Sequence, residues 1–152
     1  MTNEKYPVGI DCGWLGEDSL RNIGIFITAG VAPIPIHALA ISGIAVEDVE
    51  ALVLDLPKIG EAELLINVPS PDSFIGLAER GLFVYDWQDV HCAHQDATGA
   101  YVAVAIPSKP IKSNELSGIL AVIATTTVFE KETFLNSKQI NVNNWFECLS
   151  DL

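Results

Sequence analysis

Residues 81–107, GLFVYDWQDVHCAHQDATGAYVAVAIP, decide the fold that the sequence predicts. A run rich in aromatic and branched side chains, at 82–90, is followed by the segment DATG and by the apolar run YVAVAI. DATG favours a tight reversal, because glycine adopts positive φ and aspartate bonds its own backbone. The stretch therefore predicts a long β-hairpin. Its second strand should end at Pro107, because proline cannot donate to a strand ladder.

The first strand of this hairpin should place three aromatic rings on one face, because successive side chains of a strand point to opposite faces. The rings are those of Phe83, Tyr85 and Trp87. On the second strand, Tyr101, Ala103 and Ala105 should share one face, where the small alanines leave room for the rings as cross-strand neighbours. A ligand pocket between this sheet and a helix would be lined by Tyr85, Trp87 and Tyr101.

The composition disfavours some classes of function. The chain has 152 residues, the length of one domain, and a hydrophobic fraction of 49%, so we expect a packed core rather than disorder. Its 20 acidic residues against 8 basic ones give a net charge of -12. That charge disfavours direct nucleic acid binding through a basic patch. It favours solubility, or a partner with a basic surface.

Cysteine usage and hydropathy bear on the cellular compartment. The 3 cysteines are far apart and form no CxxC motif. An odd number of cysteines without the apolar segment of a signal peptide is typical of reduced thiols in a cytoplasm. No apolar run approaches the ~20 residues that a membrane span needs. We therefore expect a cytoplasmic location and no membrane association.

Two helices are predicted from apolar periodicity. Residues 45–54 place Val46, Val49 and neighbouring apolar side chains on one face and acidic side chains on the other. Residues 144–149, NWFECL, should form a terminal helix that docks its aromatic side chains on the core. The segment IHALAIS at 36–42 is ambiguous between a short helix and a buried strand.

A third helix, at 70–81, has the clearest local signals in the chain. Ser70 can be its N-cap, Pro71 fits the first helical position, and Gly81 can be the C′ residue. A strand is expected before it, at 62–68, and the hairpin follows it. This part of the chain therefore predicts the order β–α–β–β, and the helix is long enough for a crossover between parallel strands.

Three further strands complete the predicted sheet. They are expected at 6–12, 23–28 and 116–129. The segment GWLGEDSLRN between the first two is rich in turn formers and predicts a loop, with Asp11 at the end of the preceding strand as either a turn residue or a catalytic one. The last segment, LSGILAVIATTTVF, is dominated by β-branched and apolar residues, which predicts a central strand buried on both faces.

These elements predict an α+β fold in a single domain, residues 1–152. We expect a mainly antiparallel sheet of about five to seven strands, with about three helices packed mostly on one face. No internal repeat is visible.

An acidic stretch at 47–63 is the most negative surface that the sequence offers, with Lys58 as its single base. We predict it as the binding surface for a basic partner, and the alternative is a solvated helix face. Its acidic residues are Glu47, Asp48, Glu50, Asp55, Glu61 and Glu63.

The segment DVHCAHQD at 89–96 groups imidazoles and carboxylates, which can bind a transition metal or a ligand. The candidate residues are Asp89, His91, His94 and Asp96. On a regular strand the two histidines point to opposite faces, so both can bind one ion only if the strand bends there. A polar hairpin tip is the alternative, and Cys92 beside the histidines also allows a nucleophile. The sequence contains no phosphate-binding glycine loop and implies no cofactor.

Residues 101–124, YVAVAIPSKPIKSNELSGILAVIA, resemble the last hairpin of GAF-like small-molecule sensor domains. In that hairpin a strand that ends in proline is followed by a polar loop, a glycine and a hydrophobic strand. The resemblance implies a small-molecule sensor and carries no binding motif.

We conclude from the sequence that the chain is a non-catalytic binding or regulatory domain that acts through a protein partner or by self-association. No complete catalytic set is present, and the acidity and the core favour binding. Two alternatives stay open: a GAF-like sensor of a small molecule, and a metal-dependent enzyme that uses the cluster at 89–96.

Overall fold

A computed structural model of the chain describes residues 6–88 and 100–150. The predictions for Asp89, His91, Cys92, His94 and Asp96 lie outside the described residues. Within the described ranges there are eight strands: β1 Gly13–Glu17, β2 Ile23–Ile27, β3 Ile34–Pro35, β4 Ala62–Leu64, β5 Phe83–Gln88, β6 Ala100–Pro107, β7 Gln139–Ile140 and β8 Cys148–Leu149. The helices of these ranges are α1 Ile36–Leu39, α2 Val49–Leu54, α3 Asp72–Glu79 and α4 Gly118–Thr126, with 3-10 turns at Val46–Asp48, Ser113–Glu115 and Val142–Asn144.

Six strands form one open, curled sheet in the order β1-β2-β5-β6-β4, with β7 added on β6. Only the β2–β5 pair is parallel among these described pairs. Strands β3 and β8 form a separate antiparallel pair. The predicted α+β class is therefore confirmed, with a sheet that is mixed rather than purely antiparallel. The order β4–α3–β5–β6 is also confirmed: β4 and β5 run parallel, because both are antiparallel to the β6 strand between them.

The two faces of this sheet have different compositions. One face carries mostly aromatic rings, those of Trp14, Phe26, Phe83, Tyr85, Trp87 and Tyr101. Residues from the carboxyl-terminal third of the chain, among them Phe129 and Phe134, cover it. The other face is aliphatic and is covered by apolar side chains of α2, α3 and α4. The prediction that the helices pack mostly on one face is confirmed for these three.

The predicted hairpin is present as β5 and β6. Tyr85 lies opposite Ala103, and Trp87 lies opposite Tyr101. The register then shifts by one residue, because Val84 pairs with Ala105. This β-bulge moves Ala105 to the aliphatic face, so the prediction that Ala105 shares a face with Tyr101 and Ala103 is wrong.

The segment predicted as a central strand, 116–129, is instead helix α4. Its apolar residues do not all need burial on two sides: Ile123 and Ala124 are buried, whereas Ile119 and Val122 are exposed. The β propensity of branched residues is weak, and packing against the aliphatic face of the sheet overrides it. The hydrophobic strand of the resemblance to a GAF-like hairpin is therefore absent.

Strand β1 lies where a loop was predicted, and residues 6–12 contain no described strand. The glycines of GWLGE suggest a turn, but they sit under large neighbouring side chains. A Cβ at Gly16 would lie 2.7 Å from Cε1 of Phe129, and one at Gly13 would lie 2.9 Å from Cδ1 of Ile25. Glycine in this strand therefore permits close packing.

Several smaller predictions have mixed outcomes. Strand β2, helix α2 with its preceding turn, and helix α3 are confirmed. Gly81 is the C′ residue of α3 with a φ of 101°, as predicted, but the N-cap is Pro71 rather than Ser70. The prediction of a terminal helix at 144–149 is wrong: a 3-10 turn ends at Asn144, and Cys148–Leu149 form strand β8. The longest described helix, α4, has nine residues, so none in the described ranges could cross a membrane.

Candidate functional site

Two groups of carboxylates lie at opposite ends of the β1–β2 hairpin. One group, the acidic cluster, consists of Asp11, Glu47, Glu50 and Asp86. Asp11 precedes β1, and its Oδ1 accepts a hydrogen bond from the Ala29 backbone N–H at 2.9 Å. Asp86 pairs in the sheet with Ile27, the last residue of β2. Glu47, in the 3-10 turn before α2, and Glu50, in the first turn of α2, reach the same end of the hairpin, where both act electrostatically on Cys12.

Burial and repulsion from Asp11 act on two carboxylates of the acidic cluster, Glu50 and Asp86. Burial and, to a smaller extent, the charge of Asp11 raise the pKa of Asp86 to about 6, against a lowering by a hydrogen bond from the Trp87 backbone. Burial and Asp11 likewise raise the pKa of Glu50. The buried thiol of Cys12 beside them also has a raised pKa, first through its burial. Charge at this end of the hairpin is therefore energetically unfavourable.

No cation in the described part of the chain neutralises the acidic cluster. Over residues 6–88 and 100–150, the one ion pair joins Lys58 Nζ to Glu79 Oε1 at 3.2 Å. Within the same ranges, no group of three His, Cys, Asp or Glu side chains could hold a metal ion. The acidic cluster is thus a negative surface without a cationic partner among the described residues.

The six acidic residues predicted for partner binding do not form one surface. Glu47 and Glu50 belong to the acidic cluster, and exposed Asp48 lies between them at the start of α2. Asp55 is exposed just after α2. Glu61 and Glu63 are exposed on or beside β4, at the other edge of the sheet. Asp11 and Asp86 lie outside the predicted stretch, because the sheet and not the sequence brings them next to α2.

The aromatic residues predicted to line a pocket are part of the core. The Tyr85 hydroxyl donates to the backbone oxygens of Ser137 at 2.6 Å and Phe134 at 3.2 Å. The Tyr101 hydroxyl donates to Pro33 O at 2.8 Å and accepts from Trp14 Nε1 at 3.0 Å. Burial raises the pKa of both tyrosines. These hydroxyls join the sheet to the segments that cover it.

Trp87 differs from the two tyrosines. Its ring is 8% exposed and packs against Tyr101 with ring centres 5.3 Å apart. Its buried Nε1 has no hydrogen-bond partner in the described structure. Trp87 lies at the end of β5, next to the hairpin tip that is outside the described residues.

The second group of carboxylates lines an open groove at the turn end of the β1–β2 hairpin. The groove has a volume of about 590 Å³. Its walls come from the end of β1, the β1–β2 turn, the 3-10 turn at Ser113–Glu115 and the end of α4. We call it the polar groove, and its main polar side chains are those of Glu17, Asp18, Arg21, Ser113, Thr125 and Glu130.

Asp18 holds the polar groove in shape. Its side chain is 2% exposed and accepts four hydrogen bonds. Oδ1 accepts from the backbone N–H groups of Leu20 at 2.9 Å and Asn22 at 2.8 Å. Oδ2 accepts from Asn22 Nδ2 at 3.1 Å and from the Phe134 backbone N–H at 2.8 Å. The negative charge of Asp18 is therefore met by fixed donors, and the side chain joins the turn to the carboxyl-terminal segment.

Glu17 and Lys112 tie the groove to the 3-10 turn at Ser113–Glu115. The Ser113 hydroxyl donates a short hydrogen bond to Glu17 Oε2. Lys112 Nζ donates to Asn22 Oδ1 at 2.8 Å and to Leu20 O at 3.2 Å. Hydrogen bonds thus connect walls of the groove that are far apart in sequence.

No sequence signal pointed to the polar groove. The segment around Glu17 and Asp18 was interpreted as a loop of turn formers, and Ser113 as part of a polar loop. One clue was available: an aspartate in a turn is typical of a side chain that bonds the backbone about two residues further on. The meeting of this turn with Ser113 and Glu130 depends on the tertiary structure.

Comparisons with models of protein families, with curated proteins and with solved structures found no match to this chain. The site can therefore be interpreted only through its own geometry and charge.

Proposed function

We propose that this protein is a non-catalytic binding domain, and that its acidic cluster receives a basic segment of a protein partner. The observation that carries the proposal is a group of partly buried carboxylates that also repel one another. Burial and, to a smaller extent, the charge of Asp11 raise the pKa of both Glu50 and Asp86, and no described cation offsets this. A lysine or arginine side chain from a partner would pair with these carboxylates and remove the repulsion.

A protein partner fits this surface better than a nucleic acid. The net charge of -12 repels phosphates, and it accelerates the approach of a basic protein by electrostatic steering. Both described cysteines, Cys12 and Cys148, are free thiols, which supports a cytoplasmic location as part of the proposal.

The proposal predicts that binding depends on pH as well as on salt. A cationic partner favours the ionised form of Asp86, whose pKa of about 6 makes that form scarce in acid. Binding should therefore be strongest above about pH 7, and it should weaken as the pH falls through about 6 because protons then compete. Added salt should weaken it at all pH values.

Calorimetric titration with octalysine tests the proposal, using the full chain at about pH 8 and about pH 5. The double substitution Glu47→Gln with Glu50→Gln should reduce the affinity at least about fivefold. The matched control is Glu61→Gln with Glu63→Gln, which removes the same charge from the β4 edge. If both double variants lose the same affinity, octalysine responds only to net charge and the proposal is wrong.

Self-association is the second way in which the domain could act as a binding module. A titration of sedimentation behaviour against protein concentration distinguishes it from partner binding. A dimer in which the acidic cluster of one copy binds a basic surface of the other would dissociate on charge reversal of Glu47, whereas a dimer formed elsewhere would not.

A further inference from the structure

We propose that the polar groove binds a basic amino acid as a free zwitterion, with the chemistry of L-lysine. This site is at the opposite end of the β1–β2 hairpin from the acidic cluster and is independent of the function proposed above. The inference rests on a rigid groove whose unpaired charges match those of such a ligand in number and sign.

The free charges of the polar groove are those of Glu17, Arg21 and Glu130. Asp18 is fully met by its four N–H donors, so it offers nothing to a ligand. Glu17 gives one oxygen to Ser113, and its Oε1 accepts no hydrogen bond from the described residues. Arg21 and Glu130 are exposed on the groove wall, and neither forms an ion pair with the described part of the chain. One guanidinium and two carboxylates therefore remain.

Hydrogen bonds hold the Arg21 backbone and the Glu17 side chain in place. Arg21 has a φ of 68°, a left-handed conformation that residues other than glycine rarely adopt. Its backbone is held there by two hydrogen bonds: its N–H donates to Asp18 O at 3.1 Å, and its O accepts from Ser113 N at 2.9 Å. Glu17 is 9% exposed and is fixed by Ser113. A strained residue held beside a cavity by several contacts is a common feature of binding sites.

The charged groups of a basic amino acid match the three free charges of the groove. The guanidinium of Arg21 offers a planar pair of donors that suits a carboxylate. Glu17 Oε1 and Glu130 can each accept from an ammonium group. A basic amino acid carries one carboxylate and two ammonium groups, so it complements the three free charges. A volume of about 590 Å³ accommodates a ligand of this size. A polyanion such as a nucleotide would be repelled, because the groove offers it two carboxylates and a single guanidinium.

Calorimetric titration of the full chain with L-lysine and with cadaverine tests the inference. Cadaverine is lysine without its carboxylate, and it carries the larger positive charge. Non-specific attraction to an acidic protein therefore favours cadaverine, whereas a site built around Arg21 favours lysine. We expect one lysine bound per chain and an affinity for cadaverine at least about tenfold lower.

Two substitutions locate the site. Arg21→Gln should weaken lysine binding at least about tenfold, since Arg21 binds the lysine carboxylate, and should leave cadaverine binding no weaker, since cadaverine has no carboxylate and loses a repelling charge. Glu130→Gln, on the exposed wall, should weaken both. Lys109→Gln is the control for a lost surface cation and should change neither. Urea unfolding of each variant establishes that it is folded.

The inference is overturned if cadaverine binds as tightly as lysine, or if Arg21→Gln leaves lysine binding unchanged. Its outcome is separate from that of the partner-binding proposal. The double substitution Glu47→Gln with Glu50→Gln should leave the affinity for lysine as it is.

Discussion

The two groups of carboxylates at the ends of the β1–β2 hairpin contain the same residue types but have different surroundings. At the turn end, Asp18 is almost fully buried and meets four N–H donors. At the open end, Asp86 is partly buried with few donors, and burial together with the charge of Asp11 raises its pKa to about 6. A buried carboxylate is therefore tolerated in its charged form where fixed N–H donors surround it, and is unfavourable where they do not.

The same contrast separates carboxylates that stabilise the fold from carboxylates that are available to a partner. Glu17 and Asp18 of the polar groove join distant parts of the chain, whereas the carboxylates of Glu50 and Asp86 in the acidic cluster have raised pKa values and no described cation beside them. Removing Glu17 or Asp18 should therefore lower the free energy of unfolding, and neutralising Glu50 or Asp86 should raise it. Four substitutions test this difference.

Asp18→Ala should have the largest effect, a loss of about 3 kcal/mol or more in the free energy of unfolding. The substitution leaves the buried N–H groups of Asn22 and Phe134, and the partly buried one of Leu20, without their acceptor. Urea denaturation measures the loss. Asp48→Ala is the control, since Asp48 is exposed and makes no capping hydrogen bond. A loss at position 18 no larger than that at position 48 would contradict the frame role.

Ser113→Ala should cost about 2 kcal/mol, because it removes the hydroxyl that donates to the Glu17 carboxylate. Ser117→Ala is the matched control: Ser117 is exposed at the start of α4, and its side chain makes no cap hydrogen bond. Thermal and urea unfolding should agree on the order of the two variants. Equal losses would mean that the Glu17–Ser113 bond adds nothing to stability.

Asp86→Asn should raise the free energy of unfolding by about 1 kcal/mol at about pH 8, a value reduced for the partial exposure of Asp86 to solvent. The sign follows from its pKa, which is higher in the folded chain, at about 6, than the ordinary 3.8. The folded wild type therefore binds the extra proton, and its stability falls as the pH rises between these two values. The asparagine variant lacks this fall, so the two proteins should converge below about pH 4. Denaturation curves at several pH values measure the difference, and a constant difference would refute the assignment.

Glu50→Gln should have the smallest effect, a gain of a few tenths of a kcal/mol at low salt, about 0.3 kcal/mol. Burial and Asp11 both raise the pKa of Glu50, so its charge is unfavourable in the fold. Part of the gain should disappear at about 0.5 M salt, where the repulsion is screened. Glu147→Gln, at an exposed position of the carboxyl-terminal segment, is the control. A loss of stability at position 50 would place its carboxylate among the stabilising ones.

The β5–β6 hairpin and the acidic cluster show which features could be predicted from the sequence and which could not. Alternation and turn chemistry correctly predicted strands β5 and β6, because both signals are local. The bulge that sends Ala105 to the aliphatic face was not predictable, since it depends on what each face of β6 packs against. Glu47 and Glu50 were identified as binding candidates, but their neighbours Asp11 and Asp86 were not, because a parallel strand pair brings them together.

The sequence by itself determined the elements whose signals lie within a few residues: the β5–β6 hairpin, strand β2, helix α2, and helix α3 with its Gly81 terminus. It also determined the net charge of -12. The tertiary structure alone decided that GILAVIATT is a helix and that GWLGE is a strand. In the first case the aliphatic face of the sheet overrides a weak β propensity. In the second, Ile25 and Phe129 occupy the space that a side chain at either glycine would need. The polar groove belongs to the same category, because Glu17 and Ser113 meet only when the sheet has formed.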